Sequence, residues 1–411
     1  MRNSLKQRHI MGKASLLASR PWRNVLFLLL LAALASAAPR RAGRYEQNAQ
    51  KEPDALPASE FSRLIQDFSE PDGYFRSDNF TSNETSYLHV IDKLHELEVS
   101  GGAYIGVGPE QNFTYIAKIR PQIAFIVDIR RQAAIQHLLY KAIFHLAETR
   151  AQFLANLLCR PLAGDKQPTG TASISELVDY FARVPASNEL FGRNLARVKK
   201  TIQEDFRCAL NDRDQARLEY VYAAFRDGGL RLSFQFSSFG RSGYGGFPTL
   251  GDLVLETDLQ GRFGNFLASD DDYGFVRHLQ ELNRIIPVTG DFGGPKALAS
   301  VGAYLKEKGC TVSAFYTSNV EQFLFQNGVF GNFVANIRKL PINDKSVFIR
   351  AVARMRQANH PAYQPGHRTV TLLQTISVFL RDQDANLYPS YWDLVTTHYI
   401  SGQKRWSPFG N

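Results

Sequence analysis

Four groups of residues carry the chemistry open to this sequence. The first is Tyr104-Ile105-Gly106-Val107-Gly108-Pro109-Glu110-Gln111-Asn112 with Asp128, which closes the next apolar run. Gly106 and Gly108 let backbone approach a ligand where a Cβ would clash. An acid about 20 residues on accepts ribose hydroxyls. This is the order of a βαβ nucleotide-binding unit, and it points to a nucleoside-type ligand. Gln111 stands where a third glycine would complete GxGxxG, which steers the reading away from a dinucleotide pyrophosphate. The same residues also suit an ordinary βα turn with a solvated Asp128.

The second group is Gly290-Asp291-Phe292-Gly293-Gly294-Pro295-Lys296, beyond the apolar run Ile285 to Thr289. Asp291 could act as a base or orient a substrate, with Phe292 as an apolar wall; equally, Pro295 marks a helix start. The third is Phe315 to Glu321. It offers Tyr316 and Asn319 to a pocket, while Ser318 and Glu321 have the S-x-x-E spacing of a capping box. The fourth is Tyr74, Phe75, Asp78, Asn79, Asn83 and Glu84. It reads either as a lid over an adenosine-like ligand with Glu84 as an acid, or as turns with Ser82 capping the next helix. On the functional reading Glu84 and Asp291 are catalytic, and Gly106, Gly108, Glu110 and Asp128 hold the cofactor. Tyr74, Asn79, Asn83, Phe292, Tyr316 and Asn319 then line the substrate pocket.

Other chemistries lack their spacing. The histidines form no HxH or HExxH, so no metal is expected, and there is neither a GxSxG elbow nor a P-loop. Cys159, Cys208 and Cys310 are far apart and read as buried thiols rather than a metal or redox pair.

These groups need a scaffold, and the hydrophobic pattern supplies one. Apolar runs at Ala103 to Ile105, Ile123 to Val127, Ile285 to Thr289 and Val312 to Tyr316 read as strands separated by helical segments. That alternation predicts an α/β fold with a mainly parallel sheet. Helices are expected at Glu60 to Phe68 with Ser59 as cap, from Thr85 to Leu97, from Arg130 to Leu158, and across residues 173 to 226 as an insertion. A further strand is expected at Leu230 to Phe236, ahead of a glycine-rich loop that includes Phe239 to Gly246.

The 411 residues carry a formal charge of +9. Setting aside the six cations of residues 1–37, a stretch without any acid, leaves +3, so no nucleic-acid footprint is expected. Residues 1–37 have a basic start, an apolar run from Val25 to Leu34 and Ala35-Ser36-Ala37. This is the form of an export signal, with an uncleaved N-terminal membrane anchor as the alternative. The expected organisation is a signal at 1–37, a linker at 38–57, an α/β domain at 58–350 with a helical insertion at about 160–226, and a C-terminal extension at 351–411.

From Phe68 to about Arg350 the sequence resembles an uncharacterised bacterial family with a fold similar to that of S-adenosylmethionine-dependent methyltransferases. The resemblance lies in Ser69-Glu70-Pro71-Asp72-Gly73-Tyr74-Phe75 with Asp78-Asn79, Ser82-Asn83-Glu84-Thr85, Tyr104 to Asn112, Asp128-Ile129-Arg130-Arg131, Gly290 to Lys296 and Phe315 to Glu321. It implies a Rossmann-like sheet and S-adenosylmethionine as cofactor, with methyl transfer to an unspecified acceptor. Tyr104 stands where methyltransferases place an acid, two residues before the first glycine. A non-catalytic envelope protein binding a ligand in the same cleft is the alternative.

Overall fold

The computed structural model describes residues 54–164, 167–235, 246–353 and 359–403. The leader, the linker as far as residue 53 and most of the glycine-rich loop lie outside them. The linker's last residues belong to the fold: Leu56 is buried and its N–H bonds Leu282 O at 3.0 Å.

Helix α1 (Ala58–Phe68) starts at Pro57 with no side-chain cap, so Ser59 does not serve as the cap. The helix expected from Thr85 is a 3-10 turn, Tyr87–Val90, leading into α2 (Ile91–Glu96). Two side chains account for the late start. Thr85 meets His367, and the Ser86 hydroxyl meets Thr369 and Thr371, so both residues are committed to partners outside a helix. Strand β1 (Ala103–Gly106), helix α3 (Gln111–Ile119) and strand β2 (Ile123–Asp128) follow. Both strands are buried throughout, as parallel strands covered on two faces must be.

The long helix expected to Leu158 is two, α4 (Arg131–His145) and α5 (Arg150–Leu157), because Thr149 and Gln152 form a capping box that restarts it. The insertion is α6 (Ile174–Arg183), α7 (Asn188–Lys200) with a π turn after it, and α8 (Asp212–Gly228). Among the described residues of the strand expected at Leu230 to Phe236, 230–235, no strand forms. Gly229 breaks α8 at φ 51°, a 3-10 turn follows, and only a single bridge joins Ser233 to Thr249. Then come α9 (Leu250–Val254), α10 (Asp270–Glu281), β3 (Ile285–Thr289), α11 (Ala297–Glu307) and β4 (Val312–Ser318). The chain ends through α12 (Val320–Gln326), α13 (Phe330–Ile337), β5 (Val347–Ala353), β6 (Thr369–Thr375), α14 (Ile376–Asp384), α15 (Tyr391–Thr396) and β7 (Ile400–Ser401).

Among the described residues seven strands form one sheet in the order β3-β2-β1-β4-β5-β6-β7. Pairing is parallel from β3 to β5 and antiparallel around β6. Residues after 350 are therefore not an appended extension. They complete β5 and supply the two strands beyond it.

The two faces of the sheet differ in kind. Register aligns Phe125, Ile105, Phe315 and Phe348 in one row. Tyr304 of α11, Phe333 of α13 and Phe379 of α14 pack on that row, with ring centroids 5.1–6.2 Å apart. Tyr104 and Tyr316 alternate to the opposite face, where Tyr316 meets Tyr115 of α3 at 5.1 Å. Helix α1 covers the β3 edge, its Phe68 meeting Tyr304 and Phe125.

Candidate functional site

The strand order reverses between β1 and β4, where β1 runs into α3 and β4 into α12. In open α/β sheets, ligands bind beyond the carboxyl ends of the strands at this point. Here residues 81–84 pack on the tyrosine face and bring Glu84 beside Glu110, the N-cap of α3.

Glu84 is 3% exposed. It accepts from Tyr316 Oη at 2.8 Å, Gln111 Nε2 at 3.0 Å and the Ser318 hydroxyl. Burial raises its pKa against the pull of those three donors. Glu110, at the N-cap of α3 and 7% exposed, accepts at one oxygen from Thr81 Oγ1 (2.8 Å) and Ser82 N–H (3.2 Å). Its other oxygen, Oε2, is buried without a partner. Burial pushes its pKa up to about 7, so near neutral pH it can hold or release a proton. Ser82 links the pair: its hydroxyl bonds Gln111 Oε1 and accepts the Glu84 N–H. Hydroxyls, an amide and a backbone N–H are the groups bonded to the two carboxyls, and no cation is among them.

Backbone geometry at the end of β4 serves this network. The register slips between Tyr316 and Ser318, and Ser318 takes the left-handed φ of 51°. Such a conformation costs a non-glycine residue on the order of 1–2 kcal/mol. The Thr317 hydroxyl goes to Glu321 on the phenylalanine face and the Ser318 hydroxyl to Glu84 on the other. The expected capping box therefore does not form. Asn319 is the N-cap of α12 and gives no side-chain cap, while Glu321 pairs with Arg350 at 2.8–2.9 Å. Ser82 likewise caps no helix, its hydroxyl being taken up by Gln111 and Glu84.

The glycine turn is satisfied from within. A Cβ on Gly106 would lie 1.9 Å from Asn112 Oδ1 and 2.7 Å from the Tyr104 ring, so this glycine makes room for the protein's own side chains. Asn112 Nδ2 donates to the carbonyls of Val107, Gly108 and Pro109, and its Oδ1 accepts from Tyr104 Oη at 2.9 Å. Gly108 does need to be glycine, with φ of 80°, and Asn79 Nδ2 is the neighbour its Cβ would approach. His137 Nε2 donates to Gly108 O at 2.8 Å, its Nδ1 has no partner, and burial lowers its pKa to about 4.

Asp128 is buried but not available. Arg130 bonds both of its oxygens, through N–H and Nε to Oδ1 and Nη2 to Oδ2, at 2.8–3.0 Å. Burial alone would raise the Asp128 pKa, but the guanidinium outweighs it and holds the carboxyl below its usual range. Both oxygens of the acid expected to bind a ribose are thus bonded by Arg130.

The other expected residues separate. Asp291 follows β3, three strand spacings or about 14 Å from β4, so it does not share a reacting centre with Glu84. Its Oδ1 accepts the Gly293 N–H at 2.8 Å in a local turn. Phe292 is no pocket wall: it packs on Phe315 at 4.9 Å and Phe333 in the phenylalanine face. Tyr74 is 79% exposed, and Asn83 and Asn319 are half-buried. The structure therefore gathers Glu84, Glu110 and Tyr316 and leaves Asp291 and Phe292 out. It adds Thr81, Ser82, Gln111 and Ser318, which sequence reasoning did not assign to the site. Gln111 carried a signal, since it replaces the third glycine and its side chain bridges to Glu84.

Among the described residues no cluster of three or more His, Cys, Asp or Glu side chains could hold a metal ion, and Cys159, Cys208 and Cys310 are free thiols. No described helix is long and apolar enough to cross a membrane. A search of the curated proteins returned no match. Residues 79–403 match a protein-family model spanning most of the chain, and the protein belongs to that family, the Domain of unknown function (DUF7790) family.

Proposed function

We propose that the protein is a Rossmann-like, methyltransferase-like binding protein whose small nucleoside-type ligand enters beyond the carboxyl ends of β1 and β4. The observation that carries this reading is Glu110. A carboxyl with a pKa near 7 and one orphaned oxygen, at the start of the helix after β1, faces the place where such sheets take ligands. Strand order supports it, as does the left-handed Gly108 turn beside Asn79. The leader-like residues 1–37 support export.

S-adenosylmethionine does not fit the residues as they stand. Asn112 and Tyr104 occupy the space beside Gly106, Arg130 holds Asp128, and Glu84 fills the crevice. We therefore assign no methyl-transfer step. The self-satisfied glycine turn favours the second reading, a non-catalytic ligand-binding protein on the same fold.

Calorimetry of the full chain with adenosine, S-adenosylhomocysteine and S-adenosylmethionine tests the reading. Binding of at least one is expected, weakened by about 10-fold in Glu110→Gln through loss of a charge-assisted hydrogen bond. No heat from any of the three would sink the nucleoside reading. Turnover of bound S-adenosylmethionine would displace the non-catalytic one.

A further inference from the structure

Residues 69–79 run across the carboxyl ends of β3 and β2 before the chain enters the crevice, and polar bonds hold them there. Ser69 Oγ accepts the Thr289 N–H at 3.1 Å, and the Glu70 N–H returns to Thr289 O at 2.8 Å. The Glu70 carboxylate takes the N–H groups of Asp291, Lys296 and Ala297 at 2.8–2.9 Å. Asp72 takes the Arg131 N–H at 2.7 Å and pairs with Arg217. The Gly73 N–H bonds Ile129 O at 2.8 Å. Asp78 accepts from Gln132 and Tyr220, each at 3.0 Å.

Apolar attachment is slight. Ser77 is the one buried residue between Glu70 and Asn79, and Pro71, Asp72, Tyr74 and Arg76 are exposed. A ring contact of Phe75 with Phe323, at 5.3 Å, is the main apolar hold. Beyond this segment, Thr81, Ser82, Glu84 and Ser86 are buried. The boundary between the two regimes is Asn79, whose backbone is left-handed at φ 52°. Segments held by few apolar contacts and many surface hydrogen bonds open locally at a small fraction of global stability.

One side chain joins this segment to the site. Arg130 gives Nε and Nη2 to Asp128, and gives Nη1 to the carbonyls of Ser77 (3.0 Å) and Asp78 (2.5 Å). We propose that residues 69–79 are a lid that opens at Asn79, that Arg130 is its latch, and that lifting it frees Arg130 Nη1 and uncovers the Asp128–Arg130 pair for the incoming ligand. The site it covers rests on the nucleoside reading above; the lid itself rests on the contacts just described.

Hydrogen exchange read by mass spectrometry on the full chain tests the lid without any ligand. Glu70→Ala/Asp72→Ala, and Asp72→Asn as a milder variant, are expected to speed exchange of the Glu70 and Gly73 amides by about 10-fold. Exchange in β1, β2 and β4 should stay at wild-type rates, which also shows that the variants fold. Unchanged exchange at residues 69–79 would overturn the lid. Stopped-flow mixing with adenosine then tests gating: association is expected to be about 10-fold faster in the variants. Equal association in both proteins would overturn the gate. Faster exchange with no adenosine binding in either protein leaves the lid standing and counts against the nucleoside reading alone.

Discussion

The two faces of the central sheet solve the same problem differently. Each buries acidic side chains near the end of β4, and the neighbouring residues Thr317 and Ser318 serve one face each. On the phenylalanine face Glu321 receives a guanidinium. Arg350 binds both of its oxygens, stacks on Phe348 at 4.5 Å and passes a further bond to Gln374 at 2.7 Å. On the tyrosine face Glu84 and Glu110 receive hydroxyls, an amide and a backbone N–H. A buried acid with a guanidinium partner has its counter-charge fixed, and such a pair is a part of the packing. Burial raises the pKa of Glu321 and Glu84 alike, but only Glu321 has a guanidinium pulling against it; Glu110, with no cation beside it, is pushed up to about 7.

The largest test of this contrast is to remove the cation. Arg350→Met leaves Glu321 buried without its counter-charge and should cost about 3–5 kcal/mol in urea denaturation. Adding Glu321→Leu should restore most of the loss. Glu84→Gln should cost only about 1 kcal/mol, because its partners are neutral groups. Equal costs for Arg350→Met and Glu84→Gln would break the comparison.

A second test reads the proton itself. Folded Glu110 keeps its proton up to about pH 7, whereas an unfolded glutamate releases it near pH 4.5. Between those values the folded chain binds the extra proton, so this contribution is present at low pH and is lost as pH rises. Its size is about 3 kcal/mol across the window. His137, lowered to about 4, works in the opposite sense between pH 4 and 6.5. The quantity to measure is therefore the stability difference between wild type and Glu110→Gln, in which His137 cancels. A difference that stays flat from pH 4.5 to 7 would show that Glu110 is ionised in the fold.

The smallest effect sharpens the role of the bulge. Ser318→Ala loses the bond to Glu84 and keeps the left-handed strain, whereas Ser318→Gly loses the bond and relieves the strain. Glycine should be the more stable variant by about 1 kcal/mol in thermal unfolding. Alanine matching glycine would mean that the backbone there is not strained.

The four parallel strands β1 to β4 were readable because they are continuous apolar runs; β5, β6 and β7 were not expected, residues beyond 350 having read as an extension. Some boundaries failed for local reasons, as at the Thr149 capping box and at Gly229, and others where a side chain had a distant partner. Thr85 and Ser86 bond residues some 280 positions away, and Ser318, spaced as a cap, bonds Glu84 instead. Local pattern cannot register a long-range hydrogen bond. The same limit applies to the site. Glu84, Glu110 and Tyr316 stood out by type, but Arg130 next to Asp128 gave no sign that it would take up the acid expected to bind a ribose. Asp291 looked catalytic because a strand end carries it; only the strand order shows that this is the wrong end of the sheet.

The reach of the tyrosine-face network also sets a time order for synthesis. Glu84 meets Tyr316 and Ser318 only 232 and 234 residues later, and Ser86 waits 283 residues for Thr369. At ribosomal speeds of about 5–20 residues per second, the segment around Glu84 leaves the tunnel roughly 10–60 s before its partners exist. Throughout that interval its glutamates are hydrated and ionised. Closure of the crevice is then a late event, and a growing chain carries Glu84 in water until the strand that buries it arrives.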